Sequence, residues 1–193
     1  MAEVLLFHHA QGLTPGCLSF ADRLRAAGHE VHAPDLYQGR VFAELPDGVR
    51  YAEEVGFDEI LERGRSAAES LPSGLVYAGF SLGVLPAQTL AQTRPGAKGA
   101  LLFHSCIPAS EFASPWPPEV PLQIHMMEAD SWVVPPNEDL DAARQLTSTV
   151  AGAELFLYAG DRHLFADDSL PDFDGTAAAL LTKRVLSFLD EIK

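Results

Sequence analysis

Val76-Tyr77-Ala78-Gly79-Phe80-Ser81-Leu82-Gly83-Val84-Leu85-Pro86 sets one small polar side chain between two glycines, at the point where an apolar run gives way to a helical pattern. A serine there adds nothing to a core. Gly79 to Gly83 match the pattern G-x-S-x-G, which needs a strand before it and a helix after it. The turn between them strains the serine backbone and pushes its hydroxyl clear of a sheet. The glycines let neighbouring backbone crowd the turn without Cβ clashes, and the helix N-terminus brings free N–H groups beside any developing negative charge. The plainer alternative is a serine N-cap on an ordinary helix, which does not require glycine on both sides. Pro86 weighs against the elbow, because within a helix running from Leu82 it removes a hydrogen bond and bends the axis.

Outward from this stretch, short apolar runs alternate with longer helical patterns, as in a parallel sheet. Strands are expected over Val4–His8, Glu30–Ala33, Leu75–Phe80, Ala100–His104, Leu122–Met127 and Leu155–Tyr158. Helices are expected over Leu18–Ala27, Phe57–Leu71, Leu82–Thr93, Asn137–Val150 and Thr176–Ile192. Gly28 closes the first of these at the usual glycine position. The last carries Leu180, Leu181, Val185, Leu186 and Leu189 on one stripe. Three segments rich in Pro, Gly and Asp receive no element: Tyr37–Val55, Ile107–Val120 and Gly160–Gly175. Loops of that length often wall a pocket. With 193 residues, no repeat and no linker, the chain is expected to be one α/β domain over residues 1–193, with helices on both faces of a mostly parallel sheet and no cap domain.

A serine hydroxyl attacks only if a base takes its proton and an acid orients that base. In elbow enzymes the chain order is Ser, acid, His. Downstream of Ser81 stand His104, His125 and His163. His104 and His125 fall in or at the ends of apolar runs and suit a core or strand-edge role. His163 lies in AGDRHLFADD, between the last strand and the last helix, and is the expected base. The acid candidates are Asp130, Glu128 and Asp161. Asp130 is preferred because it lies past a strand end, where a carboxylate reaches sideways. Glu128 is closer to the strand, and Asp161 reads as a turn residue. Oxyanion donors are expected from the amides of Leu82, after the nucleophile, and of Ala10, in the loop His8-His9-Ala10-Gln11-Gly12. His9, Tyr37, Phe112, Trp116 and Trp132 are the candidate pocket walls. Paired His8 and His9 raise the question of metal, but no H-E-x-x-H or Cys/His spacing accompanies them.

Lys and Arg number 13 against 27 Asp and Glu, a net charge of −14. So acidic a chain repels phosphate backbones and anionic lipid, so neither nucleic acid nor membrane is an expected partner. The first residues, MAEVLLFHHAQG, show no basic region and no span-length apolar run. Two cysteines, Cys17 and Cys106, give no disulfide framework. A cytoplasmic protein, monomeric or homodimeric, with a small-molecule substrate and no cofactor is the expectation.

Over nearly its whole length the chain resembles the dienelactone hydrolase family of small, capless α/β-hydrolases. The segments that carry the resemblance are LLFHHAQGL, EVHAPDLYQGR, YAGFSLG, HMMEADSWVVP and LYAGDRHLFADD, with APDLY and His163-Leu164-Phe165 the more specific. The resemblance implies the α/β-hydrolase fold, a nucleophile at Ser81, an acid at Asp130, a base at His163, and oxyanion donors at Ala10 and Leu82. It also implies cleavage of small carboxylic esters or lactones. Two positions depart from the family pattern. Serine stands at the elbow where members named for dienelactone cleavage carry cysteine, and His9 stands where lactone-acid enzymes often carry glutamate. A non-catalytic binding protein on this fold, or an acyltransferase, are the alternative expectations.

Overall fold

The computed structural model describes residues 1–112 and 115–192. Six strands form one sheet: β1 (Glu3–Phe7), β2 (Glu30–His32), β3 (Val76–Phe80), β4 (Gly99–Phe103), β5 (Leu122–Met127) and β6 (Glu154–Tyr158). Their order is β2-β1-β3-β4-β5-β6, and every pairing is parallel. Six α-helices cover the sheet: α1 (Pro15–Ala26), α2 (Leu45–Val55), α3 (Phe57–Glu69), α4 (Val84–Thr93), α5 (Asp139–Thr149) and α6 (Gly175–Glu191).

The central strands β3 (VYAGF) and β4 (GALLF) are apolar without a gap because both of their faces are buried. Successive residues feed opposite layers. Leu5, Phe7, Tyr77 and Leu102 pack with α2 to α5, while Val4, Leu6, Ala78 and Phe103 pack with α1 and α6. In such a sheet, ligands meet the carboxyl ends of the strands where the winding reverses. Here that point lies between β1 and β3, so the loop after β1 and the turn after β3 share one crevice.

Several expected elements need correction. The segment 37–55 contains α2, hidden by Pro46 and Gly48 in its first turn, where proline costs no intrahelical bond. Gly48 lies against the β1 loop: a Cβ there would stand 1.9 Å from the Ala10 carbonyl oxygen. A short 3-10 turn, Ala109–Phe112, falls within 107–120, a stretch that also holds residues 113 and 114, outside the described ones. α1 starts three residues earlier than expected, because Thr14 caps it by accepting the Cys17 N–H and Pro15 opens it. The helix after Ser81 starts as a 3-10 turn, Ser81–Gly83, and becomes α-helical at Val84. Pro86 therefore lies in a first turn, where it does no harm, and Gly64 of α3 packs on its ring. On α6, Leu180 is exposed instead of sharing the buried stripe of Leu181, Val185 and Leu189.

Candidate active site

The turn after β3 holds Ser81 at a φ of 48°, left-handed backbone that a non-glycine residue adopts only at a cost. Both flanking glycines are sterically required. A Cβ on Gly79 would lie 2.1 Å from the Gly83 oxygen, and one on Gly83 would lie 2.5 Å from the Phe7 oxygen. Only hydrogen fits where the elbow folds back on its strand and presses against the end of β1.

Ser81 Oγ lies 2.8 Å from Nε2 of His163. On the other side of that ring, Nδ1 stands 2.6 Å from Oδ2 of Asp130, which is buried. The second oxygen of Asp130 accepts the Trp132 amide at 2.9 Å, so the carboxylate is held by its own turn after β5. With Nδ1–H donating to Asp130, Nε2 is left bare to accept the serine proton. The Trp132 ring lies over that of His163, their centres 5.7 Å apart. Glu128 and Asp161, the other candidate acids, are exposed, and neither bonds His163.

Ser81, Leu82 and His163 border a cavity of about 360 Å³, together with Leu85, Ile107, Phe57, Trp132, His104, Ser105 and Asp139. Of the five expected wall residues only Trp132 is there. Tyr37 is fully buried, its hydroxyl donating to the Gly48 carbonyl. Trp116 is buried as well, its indole N–H donating to Val120. Phe112 borders an adjoining groove with Leu61 and Arg65. Only membership of a segment without a clear element points to these three, and packing draws each elsewhere. Leu82 lines the cavity, whereas Ala10 is buried in the turn after β1.

His9 also turns away from the cavity. Its Nε2 lies 2.8 Å from Oδ2 of Asp167, which also accepts from the Thr14 hydroxyl. Ser169 donates its amide and hydroxyl to Oδ1 of the same carboxylate. Burial would raise the Asp167 carboxyl, but the hydrogen bonds from His9, Ser169 and Thr14 outweigh it and bring it down to about 2. Burial opposes charge on His9, while Cys17 and Asp167 draw its pKa up to about 9. The Gln11 amide aims at His9 Nδ1 and opposes a second proton. Nε2, on the other edge of the ring, is the nitrogen that donates to Asp167. The pair ties the β1 loop to the segment that carries His163. Ligand atoms of His9, Cys17 and Asp167 lie within 4.8 Å of one another, a grouping able to hold a metal, as are Glu3, Glu30 and His32 at the sheet edge.

His8 serves the same loop differently. Its Nδ1–H donates to the His9 carbonyl, and Nε2 accepts the amide of Leu36 in the APDLY segment. Burial lowers its pKa to about 4, so the ring is neutral. His104, one residue past β4, has a φ of 65° and is packed against Phe80, Phe165 and His163. Burial, and then the neighbouring His163, push its pKa well below the ordinary value. His125 lies inside the sheet, bonded to Tyr158 and Gln123.

Three lining residues had no signal in the sequence: Phe57 at the start of α3, Ser105 after β4 and Asp139 at the start of α5. Asp139 Oδ1 accepts the Ser105 hydroxyl at 2.5 Å and the Cys106 amide at 3.2 Å. Burial raises its carboxyl; those hydrogen bonds and His163 act in the opposite direction.

A family model described as the dienelactone hydrolase family matches residues 1–193. Among solved structures, a dienelactone hydrolase from Anabaena variabilis aligns with a TM-score of 0.72 at 16% identity, covering 100% of this chain and 88% of that one. A dienelactone hydrolase-like promiscuous phosphotriesterase from metagenomic libraries aligns at 0.71 and 20%, covering 100% and 87%. A thermophilic esterase from Thermogutta terrifontis, with propionate bound, aligns at 0.61 and 18%, covering 98% and 83%. At such identities the likeness is one of fold, the α/β-hydrolase fold. No curated protein sequence matches the chain, and among the described residues no helix is long and apolar enough to cross a membrane.

Proposed function

This chain belongs to the dienelactone hydrolase family, and on that premise we propose that it cleaves small carboxylic esters or lactones through an acyl-enzyme on Ser81. The observation that carries the proposal is the unbroken relay from Ser81 Oγ through His163 to Asp130, at 2.8 and 2.6 Å. His163 Nε2 takes the hydroxyl proton as Ser81 Oγ attacks the carbonyl carbon. Asp130 fixes the ring's tautomer and stabilises the imidazolium that forms. The amides of Leu82 and Ala10 hold the negative oxygen, a donor pair of which either member is worth about 3–4 kcal/mol in the transition state. As the tetrahedral adduct collapses, the C–O bond to the alcohol breaks, and His163 returns the proton to that oxygen. Water then attacks the acyl-enzyme, giving its proton to His163, and the acid leaves as Ser81 is restored.

A cavity of about 360 Å³ whose surface is largely apolar suits a small substrate. Serine in place of a thiol suits this scheme, since His163 is positioned to activate a hydroxyl that is inert by itself. The test is incubation with a fluorophosphonate probe and with p-nitrophenyl acetate, beside Ser81→Ala. Labelling at residue 81 and turnover, both lost in the variant, are expected. Labelling without turnover points to acyl transfer onto another acceptor, and silence in both assays points to a binding protein.

A further inference from the structure

Asp139 has no part in the chemistry above, yet it lines the cavity beside Ser81 and His163. The hydrogen bonds from the Ser105 hydroxyl and the Cys106 amide both fall on Oδ1, and beyond them the carboxyl meets its own backbone amide, so Oδ2 is the oxygen with room for a ligand. The described lining residues include no Lys or Arg to neutralise it. The other titratable groups there are His163, already engaged with Asp130, and His104, which is neutral and enclosed by aromatic rings. The same cavity presents two large aromatic side chains to solvent, Phe57 at 46% exposure and Trp132 at 40%. A carboxylate edge and accessible aromatic faces in an apolar cavity attract an ammonium ion, through charge and through the ring quadrupole. They repel a second carboxylate. The net charge of −14 biases encounter the same way.

Resting on the hydrolase reading, we propose that the Ser81 cavity selects esters bearing a positively charged ammonium group, with Asp139 as the specificity residue, and rejects substrates that carry a carboxylate. A carboxylate-bearing lactone acid is then a poor substrate despite the family likeness. The discrimination comes from charge more than from shape, so it follows the charge at residue 139.

The experiment uses three p-nitrophenyl esters of matched acyl length: 4-(trimethylammonio)butyrate, 5-methylhexanoate and the glutarate monoester. The wild-type enzyme is expected to rank them cation, neutral, anion in kcat/KM. Asp139→Asn should shrink the cation-to-anion ratio by about tenfold or more, and Asp139→Glu should keep most of it. A ratio taken within one variant cancels the fraction of active enzyme, so partial unfolding does not mimic the result. An unchanged ratio in Asp139→Asn, or a wild-type preference for the anion, overturns the proposal. Loss of turnover on all three esters in the wild type overturns the hydrolase reading instead. The charge preference is then decided by quenching of tryptophan fluorescence. Butyltrimethylammonium should saturate the signal, and hexanoate should not, with the ammonium affinity at least tenfold weaker in Asp139→Asn. Equal affinities in the two proteins refute it.

Discussion

Replacing Gly83 by alanine tests the steric account of the elbow. The added Cβ would stand 2.5 Å from the Phe7 carbonyl oxygen and 2.7 Å from that of His8. Both are backbone atoms at the end of β1, with no flexible side chain able to yield. Restoring ordinary contact requires the turn and the strand end to part by about 0.9 Å, and overpacking of this kind costs about 1–3 kcal/mol. The gap opens between Ser81 and the loop that carries Ala10. A misplacement near 1 Å lowers rate by about 100-fold. Gly83→Ala should therefore cut kcat on p-nitrophenyl acetate by about two orders of magnitude, slow fluorophosphonate labelling in parallel and lower the thermal midpoint by about 5 °C. Gly28→Ala is the control. That residue has a φ of 95°, and a Cβ on it would meet nothing within 4 Å, so the variant bears only the left-handed backbone cost of about 1–2 kcal/mol and keeps its rate. Should Gly83→Ala keep full kcat while losing no more stability than Gly28→Ala, crowding at the turn is not what sets the serine.

Asp130→Asn preserves shape but removes the charge that fixes the His163 tautomer; kcat should drop about 10⁴-fold with little change in thermal midpoint, and a loss under tenfold would remove Asp130 from the relay. Asp167 has a folded pKa of about 2, below the ordinary 3.8. Its contribution to stability is thus complete above pH 4 and disappears as pH falls toward 2, an effect of about 2 kcal/mol. Urea titrations from pH 6 to pH 2 should show Asp167→Asn already less stable at pH 6 and losing less on acidification than the wild type; parallel acid profiles would contradict the His9–Asp167 tie.

The alternation of strands and helices was legible because both layers of the sheet are buried, which makes β3 and β4 uninterrupted apolar runs. Ser81 was legible from glycines that only crowded backbone requires, and its approach to His163 and Asp130 from chain order together with the place of each just past a strand. α2 was not, because its initiating proline and Gly48 look like loop residues until the β1 loop lies against them. His9 shows the same blindness. In the loop after the first strand it reads as a pocket wall, and only the return of residues 163–169 supplies Asp167 as the partner that turns it inward.

Local pattern alone determined the parallel α/β architecture and the serine at its bend, since periodicity and steric allowance are properties of neighbouring residues. The cavity was decided by the tertiary structure. Phe57, Ser105 and Asp139 belong to separate segments that meet only once β3, β4 and β5 are aligned. Which groups face a substrate depends on contacts between residues far apart in the chain, and such contacts leave no periodic trace in the sequence.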